Sequence, residues 1–146
     1  MDNGELPVWT NNVWVFWLVL GTNDLVRGGC SEEATLLGIL RVGTTLKHKY
    51  PGSVVVIQAI LPRTTQEDDV LDGDPLWESI QATNTELAKF CEQHKNFVYF
   101  DVGAFYYERS NDGSLRLNGL SDGVHLSADG YTVYYSAILK EYLSIF

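Results

Sequence analysis

The sequence predicts an α/β domain built on a parallel sheet with helices on both faces. Three observations carry that reading. Residues 13–20 (VWVFWLVL) and 53–60 (SVVVIQAI) are apolar runs rich in β-branched and aromatic residues, without the alternation of a half-solvated strand. Apolar residues between and after them recur at helical spacing. Strand and helix patterns alternate to the end of the chain, without repeats, low-complexity segments or an internal linker, which favours parallel strands joined by right-handed crossovers. At 146 residues the chain is one domain by size, large enough for a single core.

Residues 1–12 hold Asn-Gly, Pro7 and Asn-Asn with little to bury, and read as a helix end or loop leading into the first strand. That strand stops at Gly21, and Thr22, Asn23 and Asp24 follow at once. Ser31 then reads as the N-cap of a helix with Glu32 and Glu33 in its first turn. Leu36, Ile39, Leu40, Gly43 and Leu46 form its apolar stripe, Lys47, His48 and Lys49 close it, and Pro51-Gly52 ends it. The second strand, 53–60, leads to Leu61-Pro62-Arg63 and a polar, acidic loop reaching about Asp74. Pro75 suits the first position of a second helix, whose stripe is Leu76, Ile80, Leu87, Phe90 and Cys91. Asn84 falls on that stripe and is therefore expected to be buried and hydrogen-bonded. His94 closes this helix as His48 closes the first. Residues 97–102 (FVYFDV) are a third short strand, and residues 103–118 a long loop or small hairpin. Ser127 is the expected N-cap of the last helix, with Leu126 and Tyr131 at the positions of a hydrophobic staple. Tyr134, Tyr135, Ile138, Leu139 and Tyr142 continue its face.

Composition narrows the function classes. A formal net charge of −9, with no cluster of Lys or Arg, argues against a nucleic-acid partner and an anionic membrane surface. The run at 13–20 is too short to span a bilayer and has no basic residue before it, so no membrane-spanning segment or secretion signal is visible. Cys30 and Cys91 have no metal-ligand spacing, and buried structural thiols are the expectation, without support for a bridge between them.

Two places carry residues that suit chemistry. Ligands of open parallel sheets bind where strands end at their carboxyl edge, and Asn23 stands there as a side-chain amide donor. Gly-Thr-Asn-Asp is also a good turn sequence, so this stretch alone leaves both readings open. Asp122 and His125 lie three residues apart just ahead of the last helix. That spacing lets the carboxylate accept from Nδ1 and leaves Nε2 as a general base. Arg63 is within reach of a bound anion, although an ion pair with nearby acids is the plainer reading.

GTND after an apolar strand, and DGVHLSADGY leading into the last helix, resemble the third and fifth sequence blocks of the SGNH (GDSL-type) hydrolases. NGELP near the start and Leu61-Pro62-Arg63 are similar to relatives of the platelet-activating-factor acetylhydrolase catalytic subunits. The resemblance covers essentially the whole chain. It implies a three-layer α/β/α, flavodoxin-like fold and a serine esterase acting on small acyl esters, with no metal or other cofactor. It also implies Asn23 as an oxyanion donor, His125 as the base that activates a serine, and Asp122 as the group that orients it.

The family's serine sits in a Gly-Asp-Ser block after its first strand, and a glycine of its second block is a further oxyanion donor. Neither block occurs in these 146 residues, so no nucleophile is assigned. Residues 1–146 are accordingly expected to be a single, partial domain lacking its first strand or strands. Loss of a triad nucleophile lowers rate on the order of a million-fold, so little hydrolysis is expected of this polypeptide alone. Two other readings stand beside this one: a non-catalytic binding module, and a fragment that needs a partner chain. An apolar strand left open at residues 13–20 would also favour self-association.

Overall fold

The computed structural model describes residues 14–66 and 69–145. Its centre is a three-stranded parallel sheet of β1 (Val15–Leu18), β2 (Val54–Gln58) and β3 (Phe97–Phe100), in the order β1-β2-β3. The helices are α1 (Thr22–Val26), α2 (Glu32–Lys49), α3 (Pro75–Gln93) and α4 (Ala128–Ile145). Among the described residues no helix is long and apolar enough to cross a membrane.

The strand pleat explains why the apolar runs show no alternation. On β2, Val55 and Ile57 point into a cluster with Ile39 and Leu46 of α2 and Ile80 and Leu87 of α3. Val56, between them, points the other way, into a cluster with Phe100, Tyr134 and Ile138 of α4. Both faces of the sheet are thus covered by helices, the α/β/α layering that the sequence predicts, and an apolar side chain is favoured at every position. Gln58 is the polar exception. It is buried, and its Oε1 accepts from Trp17 Nε1 at 3.2 Å and from Tyr134 Oη at 2.6 Å, tying β1, β2 and α4 together.

The helix ends follow local chemistry. Ser31 Oγ accepts from Ala34 N at 3.2 Å and caps α2, whose last turn carries Lys47, His48 and Lys49. Asp74 caps α3 through bonds from Leu76 N and Trp77 N, with Pro75 in the first turn. Asn84 is half-buried, and its side chain both accepts from Ile60 N at 2.8 Å and donates to Ile60 O at 2.9 Å. It thereby satisfies the backbone just beyond β2, where no strand neighbour does.

Several expectations are corrected. The first strand is shorter than 13–20. Val19 and Leu20 leave the sheet and are 59% and 40% exposed, because β1 loses its register with β2 after Leu18. Val13 and residues 1–12 lie outside the described residues. The segment after Gly21 is the short helix α1 rather than a plain turn. Residues 53–60 and 97–102 contribute shorter strands than their apolar patterns suggest. Of the two alternatives for residues 103–118 the small hairpin is the one present, formed by β4 (Tyr107–Arg109) and β5 (Leu115–Leu117) after a 3₁₀ turn (Gly103–Phe105). The stripe of α4 is split: Tyr134 and Ile138 pack on the sheet, whereas Tyr135, Leu139 and Tyr142 are exposed, because the sheet covers only one side of this helix. Tyr131, expected in a staple with Leu126, is half exposed. Cys91 is buried and its thiol is pushed up to about 11 by that burial, but Cys30 is exposed, and the two are unbridged.

Candidate active site

Gly21 makes the turn that opens the site. Its φ is +107°, and a Cβ there would lie 2.7 Å from Ile60 Cδ1 and 3.0 Å from Ile39 Cδ1, so only glycine fits both the backbone angle and the space. The chain can therefore turn sharply off the end of β1 into α1. This sets Asn23 in the first turn of α1, at the carboxyl edge of the sheet. The Asn23 side chain is exposed and has no hydrogen-bond partner among the described residues, while its carbonyl accepts from Arg27 N at 2.8 Å and Gly28 N at 3.0 Å.

The loop before α4 builds its own geometry from one carboxylate. Asp122 Oδ1 accepts from Val124 N at 3.0 Å and His125 N at 2.7 Å, a local turn typical of Asp. Asp122 Oδ2 lies 2.7 Å from His125 Nδ1. The ring hydrogen bond from His125 is the largest of the influences that bring the Asp122 carboxyl down to about 2, and the backbone N–H groups add to it. An ionised carboxylate can only accept, so Nδ1 carries a proton, and in the neutral ring this tautomer leaves the lone pair on Nε2. The His125 side chain is 74% exposed, which leaves Nε2 accessible to a reacting group.

The loop is held at its base. Ser121 N donates to His125 O at 2.8 Å and Ser127 N to Gly119 O at 2.9 Å, and Ser127 Oγ accepts from Gly130 N at 3.0 Å as an N-cap. Gly130 packs so tightly on the Gly119 carbonyl that a side chain there would collide with it. The fully buried Tyr106 donates through its hydroxyl to Gly130 O at 3.0 Å.

Asn23, Asp122 and His125 line one open cleft of about 590 Å³, with Val19 and Leu20 on its wall. The apolar residues that leave β1 early are thus the flank of a cavity. Arg27 and Arg63 line the same cleft, and Arg63 makes no ion pair among the described residues, while Glu67 and Asp68, the acids nearest to it in sequence, lie outside them. Arg27 was not anticipated, because its convergence with Arg63 depends on how α1 and the end of β2 meet. A second cleft, of about 390 Å³, lies beside β3 and is lined by Trp77, Tyr99 and Asp101 but by none of the three candidate residues. Among the described residues no cluster of three or more His, Cys, Asp and Glu is placed to hold a metal.

Residues 7–133 match the profile of the GDSL-like lipase/acylhydrolase family. Similar solved structures include a GDSL-like lipase from Bacteroides thetaiotaomicron, 18% identical, with a TM-score of 0.71 over 89% of this chain and 62% of the other. A carbohydrate esterase family 3 protein from Talaromyces cellulolyticus is 20% identical, with a TM-score of 0.66 over 94% of this chain and 61% of the other. A mutant acetyl esterase, solved with an acetate ion, is 21% identical, with a TM-score of 0.67 over 90% of this chain and 57% of the other. These likenesses establish the fold, and the chain spans about 60% of the length of such structures. Among curated protein sequences, none matches significantly.

Proposed function

The chain belongs to the GDSL-like lipase/acylhydrolase family, and we propose that it forms the base and oxyanion side of a serine-type acyl-ester hydrolase site. In this reading residues 1–146 are one partial domain. His125 takes the serine proton through Nε2, Asp122 fixes the ring and stabilises the imidazolium that forms, and Asn23 donates to the developing oxyanion. The observation that carries the reading is the single cleft lined by Asn23, Asp122 and His125, with the 2.7 Å bond from the ring to the carboxylate.

The nucleophile is the open part of the site. No Gly-Asp-Ser occurs in the 146 residues, and among the described residues no serine lines the cleft. Ser31 and Ser127 cap helices, while Ser53 and Ser121 donate to the carbonyls of Tyr50 and His125. The polypeptide by itself therefore hydrolyses no ester above background, and the serine comes from a strand set beside β1. A second reading, self-association of two copies through β1, is favoured by a specific feature. β1 pairs only with β2 among the described residues, and Trp14 and Val19 beside it are exposed.

The test is hydrolysis of p-nitrophenyl acetate by the chain, by its His125→Ala variant, and by a fusion that supplies a relative's Gly-Asp-Ser strand ahead of residue 14. The chain and its variant should be alike. The fusion should turn over ester in a way lost with either its serine or His125. Turnover by the chain alone that vanishes when one of its own serines is replaced would overturn the missing-nucleophile proposal. A fusion indifferent to His125→Ala would overturn the assignment of the base. Light scattering of the chain and the fusion decides the second reading, which requires a dimer for the first and a monomer for the second.

A further inference from the structure

The hydrolytic assignment leaves two cations in the cleft unused. Arg63 follows Pro62, which is fully buried, just past the carboxyl end of β2. Thr64 and Thr65, immediately after it, are held by Asp74 Oδ2, which accepts from Thr64 Oγ1 and Thr65 N at 2.6 Å each and from Thr65 Oγ1 at 3.1 Å. The backbone of Arg63 is therefore gripped on both sides while its half-buried side chain lines the cleft. Arg27 stands at the C-cap of α1, where its N–H is bonded to the carbonyl of Asn23.

Neither guanidinium has a hydrogen bond or ion pair among the described residues, in a chain that carries 19 acidic residues against 10 basic ones. Among the described residues the acids lining the cleft are Asp24 and Asp122, and Asp122 is committed to the His125 ring and two backbone N–H groups. Among the described residues, two cations without a partner thus share the cleft with one carboxylate that makes no hydrogen bond through its side chain. With Asp24 and Asp122 set against Arg27 and Arg63, the described lining is formally neutral in a chain of net charge −9, and its two guanidinium groups lie where a substrate would lie.

We infer that the cleft selects acyl esters bearing an oxyanionic group, a carboxylate or a phosphate, which Arg63 and Arg27 hold while Asn23 and His125 face the ester. This specificity rests on the hydrolase reading above. A guanidinium presents a fork of N–H donors that matches the oxygens of either anion, and a charge-assisted bond is stronger than a neutral one. Exclusion of water is partial in so open a cleft, so selectivity should depend on salt.

Binding needs no nucleophile, so the 146-residue chain can be tested directly. Glycerol 3-phosphate, succinate and, as a neutral control, glycerol are titrated while the Asn23 side-chain amide and His125 ring signals are followed by NMR. Equilibrium dialysis with radiolabelled ligand gives the same constants if the chain self-associates. One or both anions should bind, and which of them binds tells phosphate from carboxylate; glycerol should not. Arg63→Ala should weaken binding by about tenfold or more and Arg27→Ala by a similar order, with Arg63→Lys between wild type and Arg63→Ala. Higher ionic strength should weaken it further.

No shift with either anion, or equal shifts in the Arg27→Ala/Arg63→Ala double variant, would overturn the inference. The serine-bearing fusion separates the two proposals. If it hydrolyses p-nitrophenyl acetate and a succinate monoester with equal kcat/KM while the chain binds no anion, only this inference falls. If anions bind and the fusion hydrolyses nothing, the hydrolase reading falls and the anion site stands.

Discussion

Replacing Asp74 should loosen the ground on which one wall of the cleft stands. The side chain is fully buried and divides its two oxygens between two tasks. Oδ1 caps α3, accepting from Leu76 N at 2.7 Å and Trp77 N at 3.2 Å. Oδ2 gathers the three donors of Thr64 and Thr65, one and two residues beyond Arg63. Burial pushes the carboxyl up, but the hydrogen bonds outweigh it and bring the group from 3.8 down to about 2. Asp74→Ala loses a cap worth ~1 kcal/mol. It also strands donors whose bonds to a charged acceptor contribute ~1.5–3 kcal/mol each, though not additively. A total near 3 kcal/mol is expected, against ~5–15 kcal/mol for a whole domain. With a urea slope of ~2 kcal/mol/M the unfolding midpoint should fall by about 1.5 M. Asp74→Asn keeps a good cap but turns an N–H₂ toward the Thr65 N–H, so it should cost roughly half as much. The sign of the pH effect follows from the lowered carboxyl. Its contribution is present above the ordinary carboxyl value and lost as pH falls through about 2. The stability gap between wild type and Asp74→Ala should therefore be flat near neutrality and narrow below about pH 4. A cost under ~1 kcal/mol, or a gap that widens in acid, would refute the reasoning.

Two further outcomes bear on the dyad. The Asp122 carboxyl, followed by carbon-13 NMR, should titrate near 2, and His125→Ala should move it up toward the ordinary value of 3.8, since the ring bond is its largest influence; an unmoved midpoint would dismiss the ring as the cause. Gly130→Ala would drive a Cβ against the Gly119 carbonyl, where backbone lies on both sides and no rotamer relieves it. It should cost ~1–3 kcal/mol and speed hydrogen exchange at Ser127 N, which is bonded to Gly119 O, and wild-type exchange there would contradict the packing argument.

How much could be read from the chain depended on whether the cause was local. The boundaries of α2 and α3 were legible because caps are local chemistry: Ser31 with its acidic first turn, and Pro75 at a helix start, announce themselves. The Asp122–His125 bond was legible for the same reason, since three residues of loop are enough to close it. β2 was legible as a strand because covering both faces leaves a continuous apolar run. The same rule misread its neighbour: Val19 and Leu20 are apolar yet lie past the end of β1 on the flank of a cavity, and apolarity does not say on which side of a strand boundary a residue falls. On α4 the aromatic run mixes a buried stripe with an exposed one, and periodicity could not divide Tyr134 from Tyr135.

What sequence could not reach is the set of polar bonds that cross the fold, and these position the dyad. Gln58 looks like a blemish in an apolar strand, yet its carbonyl oxygen joins Trp17 of β1 to Tyr134 of α4 and so fixes the helix on the sheet. Tyr106 then holds the first turn of that helix through the Gly130 carbonyl, and Gly130 seats it on Gly119. Gly119 O in turn accepts from Ser127 N across the neck of the loop that carries Asp122 and His125. Each link is a buried or partly buried group that loses free energy if its partner moves away, so α4 and the loop are coupled to the sheet. The dyad is exposed, but its frame is not. In the proposed hydrolase site, an exposed imidazole would be free to meet a nucleophile brought by another strand, and the buried frame would set where they meet.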